Sequence, residues 1–154
     1  MIRNKAAAMQ FIGYRNLAVD KDFNFNPNGL YHGMDLDYCM HFVKKLHKEM
    51  NFDRAALFVE FKRGETCKMP VGERITYEDI ADCIAMSNGL GVVALAYHNV
   101  DWKDGDVDGS KALIKEFYIA NKKEWHTFER EVTVKEFEAM FLNTAGLKKD
   151  KGVE

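Results

Sequence analysis

AALFVEFK (residues 55–62) and GVVALAYH (residues 91–98) are the two stretches that decide the fold. A continuous apolar run of this length is typical of a strand that is buried in a sheet. The first half of residues 55–62 has no polar side chain on either face, which indicates a central strand. We therefore predict a sheet that is built around these two strands.

Helices are predicted before, between and after these two strands. The apolar residues recur at helical spacing, and two of the segments begin with a capping box, at Thr76–Asp79 and at Thr133–Glu136. The three segments are Leu36–Met50, Tyr77–Ser87 and the residues from Thr133 to about Gly146. The second helix is expected to end at Asn88 and Gly89, because either residue can adopt a left-handed conformation.

Two turn-forming stretches predict β-hairpins. Asn26-Pro27-Asn28-Gly29 joins residues 22–25 to residues 30–32, since Pro27 presets φ and Gly29 allows a positive φ. Asn121-Lys122-Lys123 joins residues 111–120 to residues 124–130. A short return strand is also expected at residues 65–69, after the turn at Arg63 and Gly64.

Helix–strand units followed by consecutive strands favour an α+β fold, in which about three helices pack on a mainly antiparallel sheet. The 154 residues suffice for one hydrophobic core. We expect a single domain over residues 1–147 and a charged, flexible tail over residues 148–154.

The composition argues against several classes of protein. The 22 basic and 24 acidic residues nearly balance, whereas a protein that coats nucleic acid needs a basic surplus. No stretch approaches the roughly 18 apolar residues of a membrane span, so no membrane partner is expected. Nucleic acid and membranes are therefore not expected as partners.

The cysteines indicate a reducing compartment. Cys39, Cys67 and Cys83 are odd in number and widely spaced, which predicts free thiols and a cytoplasmic protein. Cys39 and Cys83 fall on the apolar faces of predicted helices, so we expect them to be buried and Cys67 to be more accessible.

Aromatic residues are concentrated near the predicted turns. Aromatic side chains at a rim are typical of contact hot spots in interfaces. A two-stranded hairpin is marginal alone, so the aromatic-rich hairpin at residues 22–32 must dock on the core or be held by a partner. The expected binding residues are Phe23, Phe25, Tyr31, Trp102 and Trp125.

An enzyme is the alternative, and one version of it uses His32. The residues Leu30-Tyr31-His32-Gly33 resemble the first motif of the diphtheria-toxin-type and poly(ADP-ribose)-polymerase-type ADP-ribosyltransferases. In those families this histidine holds the ribose of NAD, so the resemblance implies that His32 has this role. The serine or threonine that usually follows the glycine is replaced here by Met34.

A second version of the enzyme uses a divalent metal. Asp104-Gly105-Asp106-Val107-Asp108-Gly109 matches the first half of an EF-hand loop, in which alternate carboxylates converge on one cation. The second half departs from the pattern, because Lys115 stands where the bidentate glutamate belongs. A solvated turn is the simpler interpretation, and a metal-dependent transferase or hydrolase using Asp104, Asp106 and Asp108 stays as the alternative.

From the sequence, we expect a small cytoplasmic protein that binds another protein or a small ligand, without catalysis and without a cofactor. Its size and lack of a complete catalytic motif resemble the compact accessory, regulatory or inhibitor proteins of mobile elements. Self-association into a homo-oligomer is compatible with the same pattern.

Overall fold

The computed structural model describes residues 36–101 and 107–147. In these residues one sheet and two α-helices form an α+β fold, which confirms the predicted fold class. The elements are β1 (Tyr38–Val43), β2 (Arg54–Arg63), α1 (Val71–Ala85), β3 (Gly89–His98), a short 3-10 helix (Gly109–Lys111), β4 (Leu113–Ile119), β5 (Glu124–His126) and α2 (Val134–Ala145).

The strands lie in the sheet in chain order, from β1 at one edge to β5 at the other. The β1–β2, β3–β4 and β4–β5 pairs are antiparallel. The β2–β3 pair is parallel along its whole length, from Arg54 opposite Gly89 to Arg63 opposite His98. Parallel neighbours require a crossover connection, and α1 provides it. The mainly antiparallel sheet that the sequence predicts is thus confirmed.

The two helices use alternate side chains of the same strands. Leu57 and Val59 of β2 belong to the hydrophobic core that includes Phe137 and Phe141 of α2. The intervening residue Phe58 instead contacts Tyr77 of α1, with 6.3 Å between ring centroids. Because successive side chains of a strand point to opposite faces, α1 and α2 cover opposite faces of the sheet.

Helix α1 lies close against β3, and two glycines make this possible. A Cβ atom on Gly89 would overlap the backbone of Ile84, and one on Gly91 would overlap the backbone of Ala81. Gly89 therefore belongs to β3 and not to the helix end, where the sequence placed it. Asn88 does have a left-handed φ of 64° and turns the chain into β3, as expected.

The predicted helix Leu36–Met50 is wrong, because the chain forms β1 and a turn there. As a strand, β1 directs Tyr38, Met40 and Phe42 onto the hydrophobic core by simple alternation. Leu46 falls in the turn and is largely exposed, although the helical pattern counted it as buried. Only two of the about three expected helices therefore occur in the described residues.

The start of α1 also differs from its prediction. The helix begins at Val71, directly after Pro70, and no side chain caps its N-terminus. Thr76 lies inside the helix, where Thr76 Oγ1 donates a hydrogen bond of 2.9 Å to the Gly72 carbonyl. The supposed capping box at Thr76–Asp79 is therefore wrong, and residues 65–69 form a turn and an irregular segment rather than a strand.

Helix α2 and the β4–β5 hairpin are confirmed. Thr133 Oγ1 accepts a hydrogen bond of 3.2 Å from the Glu136 amide, and Glu136 Oε2 accepts one of 3.0 Å from the Thr133 amide. Gly146 closes the helix with a φ of 80°. Residues 121–123 form the hairpin turn, although β5 is shorter than predicted and ends at His126.

Neither described helix has the length and hydropathy that a bilayer crossing requires. The proposed domain boundary and the tail at residues 148–154 stay predictions, because residues 1–35 and 148–154 lie outside the described part of the chain.

Candidate binding surface

Helix α1 is fixed to β2 through the buried carboxylate of Glu60. Tyr77 Oη donates a hydrogen bond of 2.8 Å to Glu60 Oε2, and both residues are buried. Lys62 Nζ lies 2.7 Å from Glu60 Oε1 and 3.2 Å from Glu73 Oε2. Both oxygens of Glu60 are therefore paired, and Lys62 joins the end of β2 to the first turn of α1.

The ionisation of this cluster follows from its burial. Burial raises the pKa of Glu60, and the hydrogen bonds from Lys62 and Tyr77 offset only part of the effect. Burial acts against the charge of Lys62, but its contacts with Glu60 and Glu73 outweigh it and raise the pKa of the ammonium. Burial is the main cause that raises the pKa of Tyr77, and the hydrogen bond to the Glu60 carboxylate is the second. Tyr77 therefore stays protonated and able to donate.

A second contact joins α1 to the far edge of the sheet through Arg74 and Trp125. Arg74 Cζ lies 4.2 Å from the centroid of the Trp125 ring, and Arg74 Nη1 lies 3.1 Å from Glu116 Oε1. Trp125 Nε1 donates a hydrogen bond of 2.5 Å to Glu78 Oε1. Trp125, one of the expected binding residues, is thus half-buried and in contact with α1.

Tyr118 of β4 makes the third contact. Tyr118 Oη donates a hydrogen bond of 2.8 Å to Asp82 Oδ1, one turn beyond Glu78. Burial, assisted by this hydrogen bond, raises the pKa of Tyr118 to about 12. Because Arg74, Glu78 and Asp82 recur every four residues, one side of α1 is occupied by contacts with β4 and β5.

The side of α1 next to these contacts, which faces away from Tyr77 and Ala81, carries exposed apolar residues. Tyr77 and Ala81 are the buried residues of the helix. Val71, Ile75 and Met86 are instead 74%, 59% and 68% exposed. Met86 is the C-cap residue that follows α1, and the spacing of four and eleven residues places all three on one side of the helix and its cap. We call Val71, Ile75 and Met86 the outward stripe.

Two carboxylates divide the outward stripe. Asp79 and Asp82 continue the spacing of four and three residues between Ile75 and Met86. Asp82 lies at the border of the stripe, where it accepts the hydrogen bond from Tyr118. Asp79 is exposed, and no ion pair or hydrogen bond in the described part of the chain holds its carboxylate. The helix has one basic residue, Arg74, which already contacts Trp125 and Glu116. The stripe is therefore apolar at both ends and acidic in the middle.

Most of the site residues expected from the sequence lie outside the described residues. These are Phe23, Phe25, Tyr31, His32, Trp102, Asp104 and Asp106. The binding role of the aromatic residues and the enzymatic alternatives through His32 or the acidic loop therefore stay predictions.

Asp108 is the described member of the acidic loop. Its Oδ1 accepts hydrogen bonds from the Ser110 amide at 3.1 Å and from Ser110 Oγ at 2.6 Å. Lys111 Nζ lies 3.5 Å from Asp108 Oδ2. The hydrogen bond from the Ser110 hydroxyl is the main reason that the pKa of Asp108 is lowered. Asp108 therefore caps the short 3-10 helix, and within residues 36–101 and 107–147 no cluster of three metal-ligating side chains occurs.

Reasoning from the sequence missed the outward stripe because it placed the start of α1 at Tyr77. A start at Val71 would have put Val71 and Ile75 on the side of the helix away from Tyr77 and Ala81. The predicted burial of Cys39 and Cys83 is wrong, because both are exposed: Cys39 lies on a strand and not on a helix, and Cys83 lies off the side of α1 that Tyr77 and Ala81 bury. Cys67, which was expected to be more accessible, is partly buried. All three cysteines are free thiols, as predicted.

Comparison of the chain with protein families, with curated proteins and with solved structures found no match.

Proposed function

We propose that the protein is a small, non-enzymatic binding protein of the cytoplasm that docks on another protein through the outward stripe of α1. The observation that carries this proposal is the exposure of Val71, Ile75 and Met86 along one side of α1 and its C-cap. Single exposed apolar residues are ordinary on protein surfaces, whereas an aligned set on one helix is the pattern that helix-mediated recognition uses.

The energetics support binding of a protein. Complete burial of a Val, Ile or Met side chain contributes about 1.5–3 kcal/mol, so three aligned side chains provide several kcal/mol when a partner covers them. Helix α1 is already held on the sheet by Glu60, Glu116 and Trp125. A partner therefore does not bear the entropic cost of folding the helix, which favours affinity.

Two further aspects belong to the same proposal. The free cysteines support a cytoplasmic location, because thiols persist in a reducing compartment. An accessory, regulatory or inhibitor role, of the kind that compact proteins of mobile elements have, agrees with a preformed binding helix on a small domain.

Site-specific photocrosslinking in cells of the native host tests the proposal. A benzophenone-bearing amino acid replaces Ile75 in one variant and Met140 in the control. Met140 is also an exposed apolar residue, but it lies on α2 and is only 40% exposed. We expect a covalent adduct with a second protein from position 75 and none from position 140. Equal adducts at both positions, no adduct, or a crosslink to this chain itself would each contradict the proposal.

A further inference from the structure

We propose that the segment docking on the outward stripe is a basic amphipathic helix of another protein, with apolar residues near its ends and lysine or arginine near its middle. This inference rests on the proposed function and specifies the partner. It follows from the order of side chains along α1, which is Val71, Ile75, Asp79, Asp82 and Met86.

The length of the stripe suits a helical partner. Val71 and Met86 are fifteen residues apart, which corresponds to about 22 Å along a helix axis. A partner helix of four turns covers this distance with apolar residues at both ends. Preformed α1 and its exposed apolar residues thus provide one half of a helix–helix contact.

The charges of the stripe select a basic partner. Covering Asp79 with an apolar or acidic surface would remove water from an unpaired carboxylate, which is costly. Asp82 already accepts a hydrogen bond from Tyr118, whereas Asp79 has no such partner, and the last turn of α1 contains no basic residue. The partial negative charge at the C-terminus of the helix adds to the attraction for a cation. A lysine or arginine opposite Asp79 compensates its unpaired carboxylate.

The same charges argue against a second copy of this chain as the occupant. The middle of the stripe lies between Glu78 and Asp79. In an antiparallel self-contact the symmetry axis would pass through this point, and Asp79 of each copy would face an acidic part of the other. Like charges brought together in an interface weaken it. A partner of opposite charge is therefore favoured over a homodimer through this face.

Two synthetic peptides test this inference with the isotope-labelled full chain. The basic peptide has about 18 residues, mostly alanine, with leucines near the ends of one face and two lysines at the middle of that face. The acidic peptide has glutamates in place of the two lysines. Amide chemical shifts map the contact, and titration at low salt measures the affinities.

We expect the basic peptide to shift amides of residues 71–86 and to bind about tenfold more tightly than the acidic peptide, with a preference that declines as salt is added. Asp79→Lys should reverse the preference, Ile75→Asp should abolish both interactions, and Met140→Asp should change neither. Because the substituted residues are exposed, circular dichroism of each variant should match the parent.

Three results would overturn the inference: equal binding of both peptides, shifts confined to other parts of the chain, or no binding at all. If position 75 gives an adduct in cells and the peptides give any of these three results, the proposed binding function stands and the proposal of a basic partner is rejected. If position 75 gave no adduct, the proposed function itself would fail, whatever the peptides do.

Discussion

Helices α1 and α2 are held on the same sheet by different means. Helix α2 has a capping box, a left-handed glycine at its end and a buried apolar face that includes Phe137 and Phe141. Helix α1 has no side-chain cap and buries only Tyr77 and Ala81. Its backbone packs closely against Gly89 and Gly91 of β3, and hydrogen bonds and ion pairs to side chains of the sheet supply further contacts.

This difference indicates a division of roles. The apolar residues of α2 face the core, so that helix contributes mainly to stability. Close packing on β3 and directional polar contacts fix the position of α1, while Val71, Ile75 and the C-cap residue Met86 remain exposed to solvent. A helix that is positioned without using its outward apolar side chains is suited to recognition.

The largest expected loss of stability comes from a substitution on the side of α2 that faces the core. Phe141→Ala removes a buried aromatic side chain, which typically lowers the free energy of unfolding by about 3–5 kcal/mol. Met140→Ala is the matched control on the exposed side of the same helix and should cost less than about 0.5 kcal/mol. Urea unfolding of both variants measures the difference. Similar losses would show that the two sides of α2 do not differ as described.

The second prediction concerns Glu60 and pH. Because the pKa of Glu60 is raised above its usual 4.5 in the folded protein, the native state keeps a proton that the unfolded chain has already released. This contribution to stability is complete at a pH below the pKa that Glu60 has in the unfolded chain. It is lost as the pH rises through the higher pKa that Glu60 has in the folded protein. The free energy of unfolding should therefore decrease with pH more steeply for the wild type than for Glu60→Gln.

The excess slope has an upper limit of about 1.4 kcal/mol per pH unit, because one proton is involved. Urea unfolding of both proteins from pH 4 to pH 8 measures it. Groups other than Glu60 affect both proteins alike and largely cancel in the comparison. Parallel pH profiles would mean that burial does not dominate the ionisation of Glu60.

The third prediction separates a true cap from an apparent one. Thr133→Ala removes the N-cap of α2 and should lower the free energy of unfolding by about 1 kcal/mol. Thr76→Ala, in the interior of α1, removes only a bond to the Gly72 carbonyl and should change stability by less than about 0.5 kcal/mol. Thermal melting of the pair is sufficient. A larger loss for Thr76→Ala would restore the helix start that the sequence suggested.

The sequence predicts those elements whose signals are local. β2 and β3 are continuous apolar runs, and α2 has both a capping box and a terminal glycine, so each was located within a few residues. β1 was missed because six residues are too few to separate alternation from helical spacing. The predicted start of α1 is wrong because Pro70 was interpreted as a residue that interrupts secondary structure, although proline is tolerated where a helix begins.

The candidate surface depends on contacts that sequence patterns do not contain. The contact between Glu60 and Tyr77 and that between Arg74 and Glu116 join residues that are far apart in the chain. These contacts determine which side of α1 faces the sheet and therefore which side is exposed. The outward stripe could be recognised only after the start of the helix and its orientation were known.

Photocrosslinking from position 75 in a Met86→Asp background tests the central claim most directly. Met86 is exposed and lies beyond the last residue of α1, so its substitution should leave the melting temperature unchanged. If the outward stripe is the binding surface, a charge at its far end should reduce the adduct from position 75 about tenfold or more. An undiminished adduct, or an early melt of the Met86→Asp protein, would contradict the account.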